Sequence, residues 1–169
     1  PAEAVAIVNG EAITYRNLVR WRISLKELDG VVNYILLKQA TNQAKFNFSD
    51  KQIDTEVQRI ASDNNLSIDQ WYSMLEKERG INRDHYREIV AWSMLALKRL
   101  AGDDENQQRK FLANLRAAAK IELVDPAAKL RPVSTEATES APKVTEPIVT
   151  EPVKQEPPTK IEPADEKLD

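Results

Sequence analysis

Residues 48–100 read FSDKQIDTEVQRIASDNNLSIDQWYSMLEKERGINRDHYREIVAWSMLALKRL, and this stretch decides the fold. In it, an apolar residue repeatedly precedes a polar residue, and a second apolar residue follows four positions after the polar one. The sets are Phe48/Ser49/Ile53, Leu66/Ser67/Trp71 and Ile81/Asn82/Tyr86, and Ile13/Thr14/Leu18 repeats the pattern upstream. This is the hydrophobic staple around a side-chain N-cap, and Ser49 and Ser67 each have a glutamine three residues later that completes a capping box. The pattern predicts the start of four helices.

Apolar residues at helical spacing extend this prediction to most of the chain. In the last part of the quoted stretch, they are Tyr86/Ile89/Val90/Leu97/Leu100, and the small residue Ser93 occupies the same face. We expect six helices, at about 15–28, 30–45, 50–63, 68–79, 83–100 and 105–118. The glycines are expected at turns, and they are Gly10, Gly30, Gly80 and Gly102.

Two short segments at the ends of this helical region have the pattern of strands. Residues 5–8 and 11–13 flank Asn9-Gly10, a pair typical of a type I′ hairpin turn. Residues 120–124 alternate between polar and apolar side chains and stop before Pro126. Since a single strand is not stable alone, we expect it to pair with the hairpin. The predicted fold is mainly α, with about six helices and a small sheet of the N-terminal hairpin and a returning C-terminal strand.

A change of composition near Arg131 divides the 169-residue chain. Residues 132–169 contain seven prolines, no glycine and no aromatic residue, and Glu-Pro occurs four times among them. Proline removes helix donors, and so few large apolar groups do not offset the entropy of the chain. We therefore expect a helical domain at 1–131 and a disordered, acidic Pro/Glu-rich tail at 132–169. The tail is either a passive spacer or a ligand for a proline-binding partner.

Charge and composition exclude several classes of site. Residues 1–131 carry 20 basic and 18 acidic side chains, for a net charge of +2, so we expect no nucleic-acid surface. No apolar run approaches the roughly 20 residues of a membrane span. The chain has no cysteine and a single histidine, His85, which we interpret as a neighbour of a helix cap. We expect no metal, no cofactor and no catalytic residue.

The order of these segments resembles the N-terminal chaperone domain of SurA/PrsA-type envelope foldases. VAIVNGEAIT at 5–14, the quoted stretch at 48–100 and FLANLRAAAKIELVD at 111–125 carry the resemblance. In family members with a parvulin isomerase domain, that domain lies between the long helix and the returning helix. Here only about ten residues, 101–110, occupy that place. The resemblance therefore implies a foldase-like helical domain that lacks the isomerase domain.

From this resemblance we expect a holdase that binds unfolded or partly folded polypeptides in the periplasm or envelope, without catalysis. No signal peptide is visible, so an export signal is expected to be removed or absent. The alternatives are a prolyl isomerase with an unrecognised site and a dedicated assembly or scaffold module, including a weak homodimer. Aromatic and methionine side chains make adaptable contacts, and Trp92 lies off the main apolar stripe of its helix. The candidate peptide-binding residues are Val32, Ile35, Leu36, Trp71, Met74, Tyr86, Ile89 and Trp92.

Overall fold

The computed structural model describes residues 3–130, which form six helices and a three-stranded sheet. The elements in chain order are β1 (Ala4–Val8), β2 (Glu11–Thr14), α1 (Tyr15–Trp21), a 3₁₀ turn (Leu25–Glu27), α2 (Leu28–Gln43), α3 (Asp50–Asp63), α4 (Ile68–Arg79), α5, α6 (Glu105–Ala118) and β3 (Ile121–Leu123). Helix α5 runs through three consecutive segments, Arg83–His85, the π-helical Tyr86–Ala91 and Trp92–Ala101. The predicted mainly α fold with a small sheet is confirmed. The predicted tail lies outside the described residues.

The sheet has the order β2-β1-β3, and both pairs of strands are antiparallel. The hairpin turn has φ of 50° at Asn9 and 88° at Gly10, the positive values that a type I′ turn requires. Strand β3 returns to β1 with Ala6 opposite Leu123 and Val8 opposite Ile121. Both the hairpin and the returning strand are therefore confirmed, and the returning strand joins the two ends of the helical region.

The predicted capping boxes form at α3 and α4. At α4, the backbone N–H of Gln70 donates to the Ser67 hydroxyl at 3.2 Å, and the Gln70 side-chain oxygen accepts from the Ser67 N–H at 2.9 Å. Ser49 and Gln52 make the same pair of bonds at α3. Each box satisfies donors that the first turn of a helix leaves without an internal partner.

Ser67→Ala is expected to lower the free energy of unfolding by about 1 kcal/mol, because the N–H of Gln70 loses its side-chain acceptor. Urea unfolding followed by circular dichroism measures the change. Ser73→Ala, at an exposed position inside the same helix, is the matched control and should change the stability by less than about 0.5 kcal/mol. An equal loss in both variants would contradict the capping role.

The structure corrects the predicted boundary between the first two helices. Helix α1 ends at Trp21, and Arg22 adopts a left-handed conformation with φ of 51°. This turn places Ile23 in the core, where its side chain is 7% exposed. Ser24 and Glu27 then form a capping box that begins the 3₁₀ turn. Because α2 starts at Leu28, Gly30 lies inside a helix, and its prediction as a turn residue was wrong.

The buried side chains form two hydrophobic clusters. The first joins the sheet to α1, α2 and Ile89 of α5, and the second joins α3, α4, α5 and Leu37 of α2. Tyr34 and Leu115 pack against both clusters, so they connect the two. Arg116 of α6 donates to Asp29 of α2 at 3.0 Å in a largely buried ion pair. Helix α2 is therefore the element around which the other parts are arranged.

Candidate functional site

The eight candidate peptide-binding residues do not form one accessible surface. Seven of them are 0–7% exposed, and Met74 is half-buried. Val32, Ile35, Leu36 and Ile89 belong to the first cluster, whereas Trp71, Tyr86 and Trp92 belong to the second, with Met74 packed against it. In this conformation the seven buried residues are core residues. They would contact a bound polypeptide only after helices separated.

The π-helical segment Tyr86–Ala91 explains why Trp92 was placed off the buried stripe. A π turn contains one residue more than an α turn, so it rotates the face that the following residues present. The buried residues in and after the segment are Tyr86, Ile89, Ala91, Trp92 and Ala96. The predicted stripe continued through Ser93 and Leu97, which are only partly buried. The interpretation of Trp92 as an outlying residue was therefore wrong, because it assumed a regular α-helix.

A chain of edge-to-face aromatic contacts runs from the first cluster to the surface. Trp21, Tyr34, Trp92, Phe48 and Phe46 follow one another, with ring centroids 6.1, 5.2, 5.9 and 5.7 Å apart. Such pairs contribute about 0.5–1.5 kcal/mol each beyond the area they bury. Its outer members, Phe46 and Phe48, are only partly buried. The Trp92 ring therefore packs between the Tyr34 and Phe48 rings and keeps Phe48 at the surface.

An open groove of about 340 Å³ lies between α3 and α5 where this chain reaches the surface. Phe48 and Leu95 provide most of its apolar lining. The remaining lining residues belong to one face of α3, and they are Lys51, Gln52, Thr55 and Glu56. The groove has an apolar base and a polar rim, which is the arrangement that sites for apolar ligands commonly have.

Neither apolar residue of this groove, Phe48 or Leu95, was among the binding residues predicted from the sequence. Phe48 was recognised only as the apolar residue before the Ser49 cap, a role that explains its presence without a ligand. Leu95 lay outside the predicted stripe of its helix. The sequence did contain one indication, the pair Phe46 and Phe48 between two helices. A hydrophobic staple needs a single apolar residue before the cap, so the second aromatic residue calls for another explanation.

Two cationic side chains near the groove, Lys51 and Arg99, form no ion pair within residues 3–130. The Glu56 carboxylate is paired with Arg59 at 2.7 Å, and hydrogen bonding from Arg59 lowers its pKa. Arg99 lies over the Phe46 ring, 5.8 Å from its centroid. Within residues 3–130, neither Lys51 nor Arg99 has a carboxylate at ion-pair distance. The groove therefore has two cationic side chains near it that are not engaged in ion pairs, next to the carboxylates of Asp50, Asp54 and Glu56, which are paired with Arg87 and Arg59.

A second, more polar crevice of about 230 Å³ lies between β2, α1, α2 and α5. Burial raises the pKa of the Tyr34 phenol there, and the Glu88 carboxylate acts in the same direction. Glu88 accepts from the Trp21 indole at 2.9 Å and pairs with Arg20. The crevice has little apolar lining, and its central carboxylate is already bound. It is therefore a poorer candidate for apolar segments than the groove between α3 and α5.

Four exposed apolar side chains lie on two segments that meet near the start of β1. Tyr15 and Val19 occupy successive turns of α1 and are 40% and 75% exposed. Leu123 and Val124, at the end of β3, are 40% and 47% exposed. The N–H of Tyr15 donates to Glu3 and that of Val124 donates to Val5, which brings both segments to the start of β1. We call these four residues the sheet-end patch.

His85 is half-buried, and its N–H donates to the Asn82 side chain that caps the helix, as the sequence predicted. Burial lowers the pKa of its imidazole from the usual 6.5, while the nearby Glu27 carboxylate acts in the opposite direction. The folded chain thus binds this proton less tightly than the unfolded chain does. Protonation of His85 consequently favours unfolding, and the stability that neutral His85 permits is lost as pH falls below about 6.5.

We expect the free energy of unfolding to decrease between pH 7.5 and pH 5.5, and we expect His85→Gln to flatten that slope. Urea unfolding at several pH values measures both slopes. The lowered pKa values of Asp54 and Glu56, caused by hydrogen bonds from Arg87 and Arg59, act only below their usual values of 3.8 and 4.5. Identical slopes for the two proteins would contradict this role of His85.

No helix among residues 3–130 is both long and apolar enough to span a bilayer. In the same part of the chain, the acidic residues and His85 do not assemble into a group of three or more that would hold a metal ion.

Comparison with known proteins finds neither a protein-family model nor a curated protein that matches the chain. The similarity to SurA/PrsA-type domains therefore rests on the residues that carry it and stays a resemblance.

Proposed function

We propose that the chain binds unfolded or partly folded polypeptides as a holdase. The observation that supports this proposal is the open groove between α3 and α5, with Phe48 and Leu95 at its base and a charged rim. An apolar segment of a client loses contact with water when it enters this groove. The resemblance to SurA/PrsA-type domains supports the same function and an extracytoplasmic envelope location. Seven of the eight residues first predicted for binding lie in the core, so the proposal assigns the contact to the groove instead.

The size of the groove is consistent with weak, reversible binding. Complete burial of one leucine-sized side chain contributes about 1.5–3 kcal/mol. Ordering an unfolded client costs a comparable amount for each segment that becomes fixed. A single groove therefore captures exposed apolar segments briefly, and it releases them when they fold. This is the behaviour that a holdase requires.

Suppression of aggregation tests the proposal. A chemically denatured model protein is diluted into buffer with and without the full chain, and light scattering is followed over time. Suppression that increases up to several-fold molar excess is expected. No suppression at that excess, or suppression equal to that of an inert protein of similar size and charge, would reject the holdase function.

We propose that this activity involves no catalysis, since the parvulin domain of the resembling family has no counterpart between α5 and α6. A protease-coupled assay of prolyl isomerisation separates this view from the enzyme alternative. A rate equal to the uncatalysed background is expected. A rate above it that depends on the concentration of the chain would establish an unrecognised isomerase site.

The sheet-end patch favours a second candidate function, a dedicated assembly module that binds one fixed partner or a second copy of itself. Large exposed apolar side chains grouped together are typical of interaction surfaces. Light scattering across a range of concentrations would then show a stable complex of fixed stoichiometry, which Val19→Asp disrupts. A monomer at all concentrations, together with suppressed aggregation, favours the holdase.

A further inference from the structure

The residues around the groove favour an acidic, proline-containing ligand. Lys51 and Arg99 are cationic groups that form no ion pair with a carboxylate of residues 3–130. The Phe48 ring lines the groove, and the Phe46 ring packs edge-to-face against it with centroids 5.7 Å apart. Grooves lined by aromatic rings are common docking sites for proline-rich segments. Adjacent cations select among such segments in favour of those that carry glutamate.

Residues 132–169 of the same chain contain a segment with this chemistry. The sequence VTEPIVTEPV at 144–153 has two copies of Val-Thr-Glu-Pro, each followed by another β-branched residue. Residues 132–169 hold nine acidic and four basic side chains, for a net charge of −5. Each repeat thus places apolar side chains beside a glutamate and a proline. This combination complements an apolar groove with cationic side chains near it.

The segment is long enough to reach the groove from the end of the described fold. Leu130 packs against the first cluster, and 13 residues, 131–143, lie between it and Val144. Fully extended, these residues span about 45 Å. A folded unit of this size has a radius of gyration of about 14 Å, which corresponds to a sphere about 36 Å across and a path of about 57 Å around the surface to the opposite side. Val144 can therefore reach all of the surface except the region opposite Leu130, and the further residues up to Val153 add about 30 Å, which covers that region as well.

We propose that residues 144–153 occupy the groove between α3 and α5 in cis when no client is bound, so that the chain carries its own competing ligand. This inference rests on the proposed function, because it identifies the groove as a polypeptide site. A ligand on the same chain acts at an effective concentration on the millimolar order. A dissociation constant on the millimolar order is therefore enough for the segment to occupy the groove in about half of the molecules. A client that binds more tightly displaces the segment.

The absence of cysteine from the chain allows a direct test. A nitroxide attached at Thr150→Cys in the full-length chain should broaden the amide signals of residues 51–56 and of Leu95. Dilution with unlabelled chain separates contacts within one molecule from contacts between molecules. Lys51→Glu is expected to lower the occupancy roughly two- to fivefold. Lys77→Glu, the same change at an exposed site outside the groove, should leave the occupancy unchanged.

Several outcomes would overturn the inference. The first is that the amide signals of the groove residues do not broaden. The second is that the broadening disappears when labelled chain is diluted with unlabelled chain. The third is that Lys51→Glu and Lys77→Glu change the occupancy equally. A second measurement separates this failure from that of the proposed function. Replacing Val144, Ile148, Val149 and Val153 by serine should tighten the binding of a fluorescent unfolded client about twofold. Equal client affinity before and after the replacement contradicts the cis ligand alone. Broadening without any client binding supports the cis ligand and rejects the holdase.

Discussion

Trp92→Ala lowers the free energy of unfolding by about 3–5 kcal/mol, the loss expected when a large aromatic side chain is removed from a packed core. Trp92 is 7% exposed, and its ring contacts those of Tyr34 and Phe48. Truncation leaves a cavity between the Tyr34 and Phe48 rings and removes the contacts of Trp92 with both of them. Domains of this size have a total stability of about 5–15 kcal/mol, so the variant is expected to be partly unfolded near 37 °C. Urea unfolding monitored by circular dichroism and by tryptophan fluorescence measures the change.

Met74→Ala is the matched control for this prediction, since Met74 was proposed for the same binding role but is only half-buried. Its expected loss of stability is smaller, about 1–2 kcal/mol, because less of the side chain is removed from water. A loss below 1 kcal/mol for Trp92→Ala would show that Trp92 is not the core residue described above. If Trp92→Ala strongly decreased client binding without loss of stability, Trp92 would belong to the binding surface and not to the core.

If the chain binds clients as proposed, Leu95→Asp is expected to lower the affinity for an unfolded client about tenfold or more. The substitution places a charge at the base of the groove, where the client's apolar side chain would have to remove it from water. Truncation of a central, well-packed hot-spot residue costs about 2 kcal/mol or more of binding energy, and about 1.4 kcal/mol corresponds to tenfold. Fluorescence anisotropy of a labelled, permanently unfolded polypeptide measures the dissociation constant.

Val19→Asp provides the matched control, since it makes a similar change of an apolar residue to aspartate at a side chain that is 75% exposed and does not line the groove. It is expected to bind the client as the wild-type chain does. Because Leu95 also packs against the second cluster, the stability of both variants must be measured beside their affinity. Lys51→Asp, at the exposed rim, gives a further readout that does not disturb the core. Equal affinities of Leu95→Asp and wild type would place the binding site elsewhere.

Most of the fold could be predicted because its signals are local. The caps at Ser49 and Ser67 depend on residues three positions apart, and the Asn9-Gly10 turn depends on two adjacent residues. Even the long-range pairing of β3 with β1 followed from a local argument, since an isolated strand needs a partner. These features do not depend on how the helices pack against one another.

The boundaries and the site were less predictable, because they depend on packing. The arginine side chain does not favour a left-handed backbone conformation. Arg22 adopts this conformation because it allows the next residue, Ile23, to be buried in the core. The π segment in α5 changes the buried face by one residue, which brings Trp92 into the core. An apolar stripe indicates which face of a helix is covered, but it does not indicate what covers it. For this reason the stripes identified core residues, and the groove at Phe48 and Leu95 was found only in the structure.

The proposed function depends most on whether the groove between α3 and α5 accepts apolar segments of foreign chains. The most direct test is to titrate an unlabelled, permanently unfolded client into the full-length ¹⁵N-labelled chain and to follow the amide chemical shifts. We expect the largest shift changes at residues 48–56 and 92–99, and no change at the residues of the first cluster. Changes confined to the sheet-end patch, or no changes at client concentrations that suppress aggregation, would contradict it.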